Sequence, residues 1–190
     1  AEIAAEVNGW TLLSDSSWLG YAARARDVME GYLIMGHEAV DQMDKPPTHV
    51  FLQAGVGGLA VGMSAAVRTR WGNDVHIVVV EPDAAPALIE SIKADKVVDT
   101  TGPVSNMGRL DCKTPSHLAL KYLALEADTF LTIDDHSVSD SIEFLKENGI
   151  ETTPSGGAGI AALHHLGDRK AELGINNTSR VLCIISEVDQ

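Results

Sequence analysis

The chain has 190 residues, 45% of them hydrophobic and 22% charged, which fits one domain of ordinary globular usage able to bury roughly 70% of its unfolded surface and excludes whole-chain disorder. Fourteen Lys and Arg against 27 Asp and Glu leave a net charge of −13, so nucleic acid and anionic membrane surfaces meet repulsion and are poor partners. Two distant cysteines, Cys112 and Cys183, make neither a disulfide framework nor a metal knuckle, and no stretch approaches the roughly eighteen uncharged residues of a membrane span; a soluble, cytoplasmic protein is expected.

Ala1 to Gly9 reads as the tail of a helix stopped by Asn8-Gly9, with no start signal before it. Residues 1–13 are therefore expected to be a remnant of a preceding small domain, and the chain a piece of something longer. Trp10 to Leu13 is a short extended run. Ser14-Asp15-Ser16-Ser17 supplies a turn and candidate helix caps, Asp15 among them. From Tyr21 the apolar positions Ala25, Val28, Met29, Tyr32, Met35, Ala39, Val40 and Met43 have helical spacing, closed by Pro46-Pro47, and the stripe reads as core or oligomer contact.

His49 to Gln53 is a strand, and Ala54-Gly55-Val56-Gly57-Gly58 is a glycine-rich turn into a small-residue helix reaching about Trp71. His76 to Val80 is a continuous β-branched run, the pattern of a strand buried on both faces of a parallel sheet. A helix from Ala87 to about Lys93 follows, then a long irregular stretch from Asp99 to Thr114, of a length that marks function or mobility. Further elements are a helix from Pro115 to near Ala124, a strand at Phe130 to Ile133, a helix capped by Asp134 or Asp135 and ended by Asn148-Gly149, a second glycine cluster at Ser155 to Gly159 leading into a helix from Ile160 to about Leu173, and a last strand at Arg180 to Ile185.

This alternation predicts an α/β fold, an open and mostly parallel sheet with helices on both faces, in a single domain spanning residues 1–190. Such sheets bind ligands beyond the carboxyl ends of their strands, so Gln53 to Gly58, Glu81, the end of Ile133 and Ser186 are expected at one rim. In the turn after the first of these strands, glycines let backbone N–H groups converge on an anion, and the following helix adds its dipole. Distant negative charge is screened beyond about 8 Å, so a phosphate is the natural occupant. Two sources of that phosphate stay open. Gly55-x-Gly57-x-x-Ala60 with Glu81 after the next strand also matches a dinucleotide fingerprint, which would make the chain an NAD-linked or non-catalytic Rossmann-like nucleotide-binding domain.

Gly9-Trp10-Thr11-Leu12, Asp15, Trp18, Gly20-Tyr21 and Met29-x-Gly31-Tyr32 resemble the middle of the diaminopropionate ammonia-lyase family, pyridoxal-phosphate enzymes of the tryptophan-synthase-β (fold type II) superfamily. Phe51 to Gly58 looks like that family's phosphate loop, Val80-Glu81-Pro82 like the next strand end, Met107 to Ser116 like its later loop, Ser155 to Leu163 like the glycine-rich segment near the cofactor, and Ile184-Ile185-Ser186 like the last strand. The resemblance implies the large cofactor domain of such an enzyme, the C-terminal half only. By the same likeness Ala54, Gly55, Val56, Gly57 and Gly58 bind the phosphate of pyridoxal 5'-phosphate, Ser186 meets the ring nitrogen, and Asp15 is a catalytic acid or base. A neutral hydroxyl at that nitrogen favours β-elimination over transamination.

The implied reaction is α,β-elimination on a small amino acid, 2,3-diaminopropionate giving pyruvate and ammonia, with dehydration of serine, threonine or hydroxyaspartate as the alternative, and a homodimer is the implied assembly. The family's Schiff-base lysine precedes the segment seen here, and none of the seven lysines stands in its motif. The chain alone is therefore expected to be inactive. It also ends Ser186-Glu187-Val188-Asp189-Gln190, where the family continues with a glycine. Gly57→Asp is expected to place a Cβ and a like charge against the phosphate.

Overall fold

In the computed structural model, which describes residues 1–188, four strands form one sheet. They are β1 (His49–Gln53), β2 (His76–Pro82), β3 (Thr129–Ile133) and β4 (Val181–Cys183), in the spatial order β3-β2-β1-β4. Every pairing is parallel, with Val50 beside Ile77 and Leu182, and Val80 beside Leu131. All four carboxyl ends therefore open on the same side.

The helices are α1 (Glu2–Asn8), α2 (Ala23–Asp41), α3 (Gly58–Trp71), α4 (Ala87–Ala94), α5 (His117–Glu126), α6 (Asp135–Glu147), α7 (Pro154–His164) and the single turn α8 (Arg169–Glu172). Strand alternation splits the core in two. Val50, Leu52, Ile77 and Val79 pack with Met29, Met63, Val67 and Leu123 of α2, α3 and α5. Phe51, Val78 and Val80 face the other way, onto Val138, Ala158, Ala161 and Leu166. Both central strands are buried almost throughout, as their unbroken apolar runs require.

Several expected elements differ. Trp10 to Leu13 forms no strand, and the nearest extended pairing is a single bridge between Trp18 and Tyr21, whose rings stack at 4.3 Å. The second glycine cluster does not precede its helix but makes up its first two turns, because Pro154 supplies a ready-made helical φ and Thr153 accepts a hydrogen bond from the Gly156 N–H at 3.0 Å. Glycines there let α7 approach the sheet closely: a Cβ on Gly159 would come within 3.0 Å of the Phe51 carbonyl oxygen. The helix ends at His164, and β4 spans three residues rather than six. The stop at Gly9 stands as expected, with φ at 65°.

Candidate active-site cleft

An open cleft of about 1190 Å³ lies beyond the carboxyl ends of the strands, walled by Gln53 to Leu59, by Asn106 and Gly108 to Leu110 of the long loop, by Thr153 to Ser155 at the start of α7, and by Ile185 to Val188. Asp15, Tyr32 and Met35 complete it. The turn after β1 is built for a close approach. Gly57 has φ of 100°, a value side chains disfavour, and caps α3. The N–H groups of Gly55, Gly57 and Gly58 meet no acceptor among the described residues, and that of Val56 is directed at the Cys112 sulfur. A row of donors at a helix N-terminus, left without protein partners, is an anion site in the making. The Ala54 amide is committed to the Val80 carbonyl at 2.8 Å, so Ala54 offers the cleft only a wall.

Gly57 faces the cleft with its backbone and the core with its missing side chain. A Cβ there would meet Ala119 at 2.9 Å, Leu123 at 3.2 Å and Leu88 at 3.3 Å. The expectation that Gly57→Asp sets a carboxylate against a phosphate is thus corrected: the new side chain enters the apolar layer under α3.

Asp15 caps nothing. The next helix starts eight residues later with Ala22 at its cap position, and the Asp15 side chain lies exposed at the cleft without a hydrogen bond among the described residues. Its neighbour Ser17 does the fastening. The Ser17 hydroxyl accepts from the Leu118 N–H at 2.8 Å and pairs with the Ser116 hydroxyl at 2.8 Å, pinning the segment to the start of α5. Ser186 reaches the cleft from just past β4, with its Oγ 3.2 Å from the Gln53 amide nitrogen.

Glu81 and Ile133 are not at the rim. Glu81 is 1% exposed and its carboxylate accepts from the N–H groups of Leu88 and Ile89 at 2.7 and 2.8 Å, capping α4 from the end of β2. Burial pushes its pKa up to about 7, with the two amides pulling the other way. A carboxylate so enclosed cannot hold a ribose, so the dinucleotide fingerprint loses its acid.

Among the cleft residues not singled out by spacing are Tyr32 and Met35, within the stripe read as core or oligomer contact, and Arg109. Arg109 is bound through Nε to Glu187 at 3.1 Å, and Glu187 in turn accepts from the Thr153 hydroxyl at 2.7 Å. Among the described residues no lysine lines the cleft. Lys113 lies in the same long loop as Arg109, and its ammonium is taken up by the carbonyls of Ala84 and Pro103 and the Asp111 carboxylate. Burial raises both thiols, Cys183 to about 12, which leaves neither as a ready nucleophile. Among the described residues no group of three acidic, His or Cys side chains could hold a metal ion, and no helix is long and apolar enough to cross a membrane.

The sequence pattern of the pyridoxal-phosphate dependent enzymes matches residues 1–187. The chain belongs to this family. Diaminopropionate ammonia-lyase of Escherichia coli is 31% identical over 201 residues, covering 97% of this chain and 50% of that protein. A probable D-serine dehydratase of Burkholderia thailandensis is 30% identical over 151 residues, covering 74% of the chain and 33% of its own length. The crystal structure of the E. coli ammonia-lyase with an aminoacrylate–PLP azomethine reaction intermediate superimposes with a TM-score of 0.92 at 28% identity, covering 99% of this chain and 52% of that one. This member of the pyridoxal-phosphate family thus has the fold type II cofactor-domain architecture and spans about half the length of the ammonia-lyases it matches. Asp189 and Gln190, part of the expected departure at the end, lie outside the described residues.

Proposed function

We propose that the cleft holds pyridoxal 5'-phosphate and that the chain is the C-terminal part of an ammonia-lyase performing α,β-elimination on 2,3-diaminopropionate. The observation that carries this is the set of unclaimed amides of Gly55, Gly57 and Gly58 at the mouth of α3, in a chain whose family uses a phosphate-bearing cofactor. Each such charge-assisted bond contributes about 1.5–3 kcal/mol, and the helix dipole adds to it. Ser186, lining the same cleft from just past β4, meets the ring nitrogen. When bound, the cofactor supplies the sink for the electron pair left at Cα. The chain's own part is to grip, orient and move protons.

Asp15, exposed at the cleft and unpaired by any described residue, takes or returns a proton at the substrate. Ser17 holds it there. The Arg109 guanidinium offers a partner for the substrate carboxylate. Because no lysine lines the cleft, the chain alone is inactive, and the attachment lysine belongs to the half of the enzyme that precedes it. Residues 1–13 belong with that half too: α1 buries none of its residues, and Ile3 and Val7 are each 78% exposed. A homodimer is the assembly this reading carries.

Thermal unfolding tests the cofactor assignment. Pyridoxal phosphate at a hundredfold excess over its Kd stabilises the chain by ~2.7 kcal/mol, about 5–10 °C for a chain of this size, while NAD does nothing. No pyruvate forms from diaminopropionate or serine with the chain alone. Protection by NAD in place of pyridoxal phosphate contradicts the assignment, and pyruvate release by the chain alone contradicts the assignment of the lysine to the missing half.

A further inference from the structure

A groove separate from the cleft runs between α2 and α5, each of which packs on α3. It encloses about 300 Å³ and shares no lining residue with the cleft. That volume is at the small end of the cavities that take small molecules. Met29 and Leu33 wall the groove on one side, Tyr122 and Leu123 on the other, over Val61 and Ser64 of α3. Ser64 is the exception in this apolar lining. Its residue is 0% exposed, and its hydroxyl has no hydrogen-bond partner among the described residues. A buried hydroxyl left unpaired costs free energy that a partner entering the groove would recover.

The surroundings narrow the chemistry of that partner. A single water needs two to four polar neighbours, and Met29, Leu33, Val61 and Leu123 supply none. An ionised group fits worse, because against a fully buried hydroxyl it would lose its hydration and find no counter-charge. Charge is kept to the mouth of the groove, where Arg26 and Glu30 of α2 are exposed and Arg68 Nε holds Glu126 at 3.6 Å. What remains is a neutral hydroxyl on an apolar body. A flat ring loses little conformational freedom on binding and finds an aromatic neighbour in Tyr122.

We propose that the groove between α2 and α5 is a second binding site, for a small neutral phenol whose hydroxyl pairs with Ser64 and whose ring lies between Met29, Leu33 and Leu123. The site stands whether or not the cleft holds a cofactor.

Titration of the chain with 4-fluorophenol, fluorobenzene and 4-fluorobenzoate, followed by the fluorine spectra of the probes and the amide spectra of the chain, tests it. In the wild type 4-fluorophenol binds about three- to tenfold more tightly than fluorobenzene, the worth of one neutral hydrogen bond, and 4-fluorobenzoate is excluded. The amides that move lie in residues 29–33, 61–65 and 122–123, not in the turn after β1. Ser64→Ala lowers the affinity for 4-fluorophenol to that for fluorobenzene. It also raises the unfolding midpoint, since it removes a hydroxyl that nothing in the folded chain satisfies. Ala65→Phe, which fills the groove from a half-buried position on α3, abolishes the binding of both neutral probes. No saturable binding, equal affinity for the two neutral probes, binding of 4-fluorobenzoate as tight as that of 4-fluorophenol, or amide shifts centred on the cleft overturns the proposal from the wild-type chain alone. So does an unchanged preference for 4-fluorophenol in folded Ser64→Ala. Binding that weakens as the chain is concentrated overturns it as well, because a second copy of the chain then occupies the groove.

Discussion

The Glu81 carboxylate, enclosed at the end of β2, carries a pH dependence of its own. Its pKa is raised to about 7 in the folded chain against an ordinary value near 4.5, so between these limits the folded state holds a proton that the unfolded state has lost. The stability it contributes is fully present below about pH 4.5 and is lost as the pH rises through 7. We expect urea unfolding of the wild type to show a decline on the order of 2 kcal/mol between pH 5 and pH 8 that Glu81→Gln does not share. Identical pH profiles for the two proteins would refute it. At the neighbouring turn two adjacent glycines separate cleanly. Gly57→Ala must hold φ of 100° and push against Ala119 at 2.9 Å, costing ~2–4 kcal/mol; Gly58→Ala meets only Met29 and Tyr32 at ordinary contact distances of 3.7 and 3.9 Å and, alanine being the better helix former, leaves stability unchanged or raises it by up to about 1 kcal/mol. Calorimetry of the two variants checks the order. The glycines were legible in the sequence as a turn before a helix. The direction of each missing Cβ was not, because at Gly57 it depends on α4 and α5, which arrive from about thirty and sixty residues away, and at Gly58 on α2.

Elements built from continuous apolar runs or sharp stops were read closely: β1 and β3 to within a residue, α3 in full, and α6 with the Asp134 side chain accepting from the Ser137 N–H at 2.9 Å. Elements defined by tertiary contact were not. Asp15 looked like a cap because Asp-Ser-Ser is capping chemistry, whereas the cap is Ser17 and the helix it serves is α5, a hundred residues on. Ser17→Ala removes that acceptor and costs ~1–2 kcal/mol, and it loosens the segment that carries Asp15; proteolysis within residues 10–20 accelerates if so and is unchanged if Ser17 is incidental. Tyr32 and Met35 sit on a helical face that periodicity marks as buried, and only the position of the cleft tells which part of that face stays open. At the amino ends of β1 and β2, His49 and His76 stand side by side with ring centroids 5.5 Å apart. Burial lowers the His76 pKa, so His76 contributes stability above its unfolded value near 6.5 that is lost as the pH falls below it. His76→Gln flattens that acid limb in thermal unfolding; a wild-type limb that survives the change would contradict the assignment.

For the molecule as a whole, one-sidedness is the governing property. Parallel pairing brings four carboxyl ends together, and the turn after β1 and the segment after β4 wall a cleft with amide donors and a hydroxyl. The side on which the cleft opens follows from the alternation of strands and helices; the donors and the hydroxyl do not. The amino-terminal segment exposes Trp10, Leu13 and Leu19 at 67%, 69% and 93%, and the chain spans about half the length of the ammonia-lyases it matches. The account stands on the phosphate grip of the turn after β1. Amide 1H–15N spectra of the chain titrated with pyridoxine 5'-phosphate and, separately, with pyridoxine measure it most directly. The account predicts that the phosphorylated probe shifts the Gly55, Gly57 and Gly58 amides downfield as they take up an acceptor, and that pyridoxine leaves them in place. Those three resonances standing still while others in the chain respond to the phosphate would contradict it.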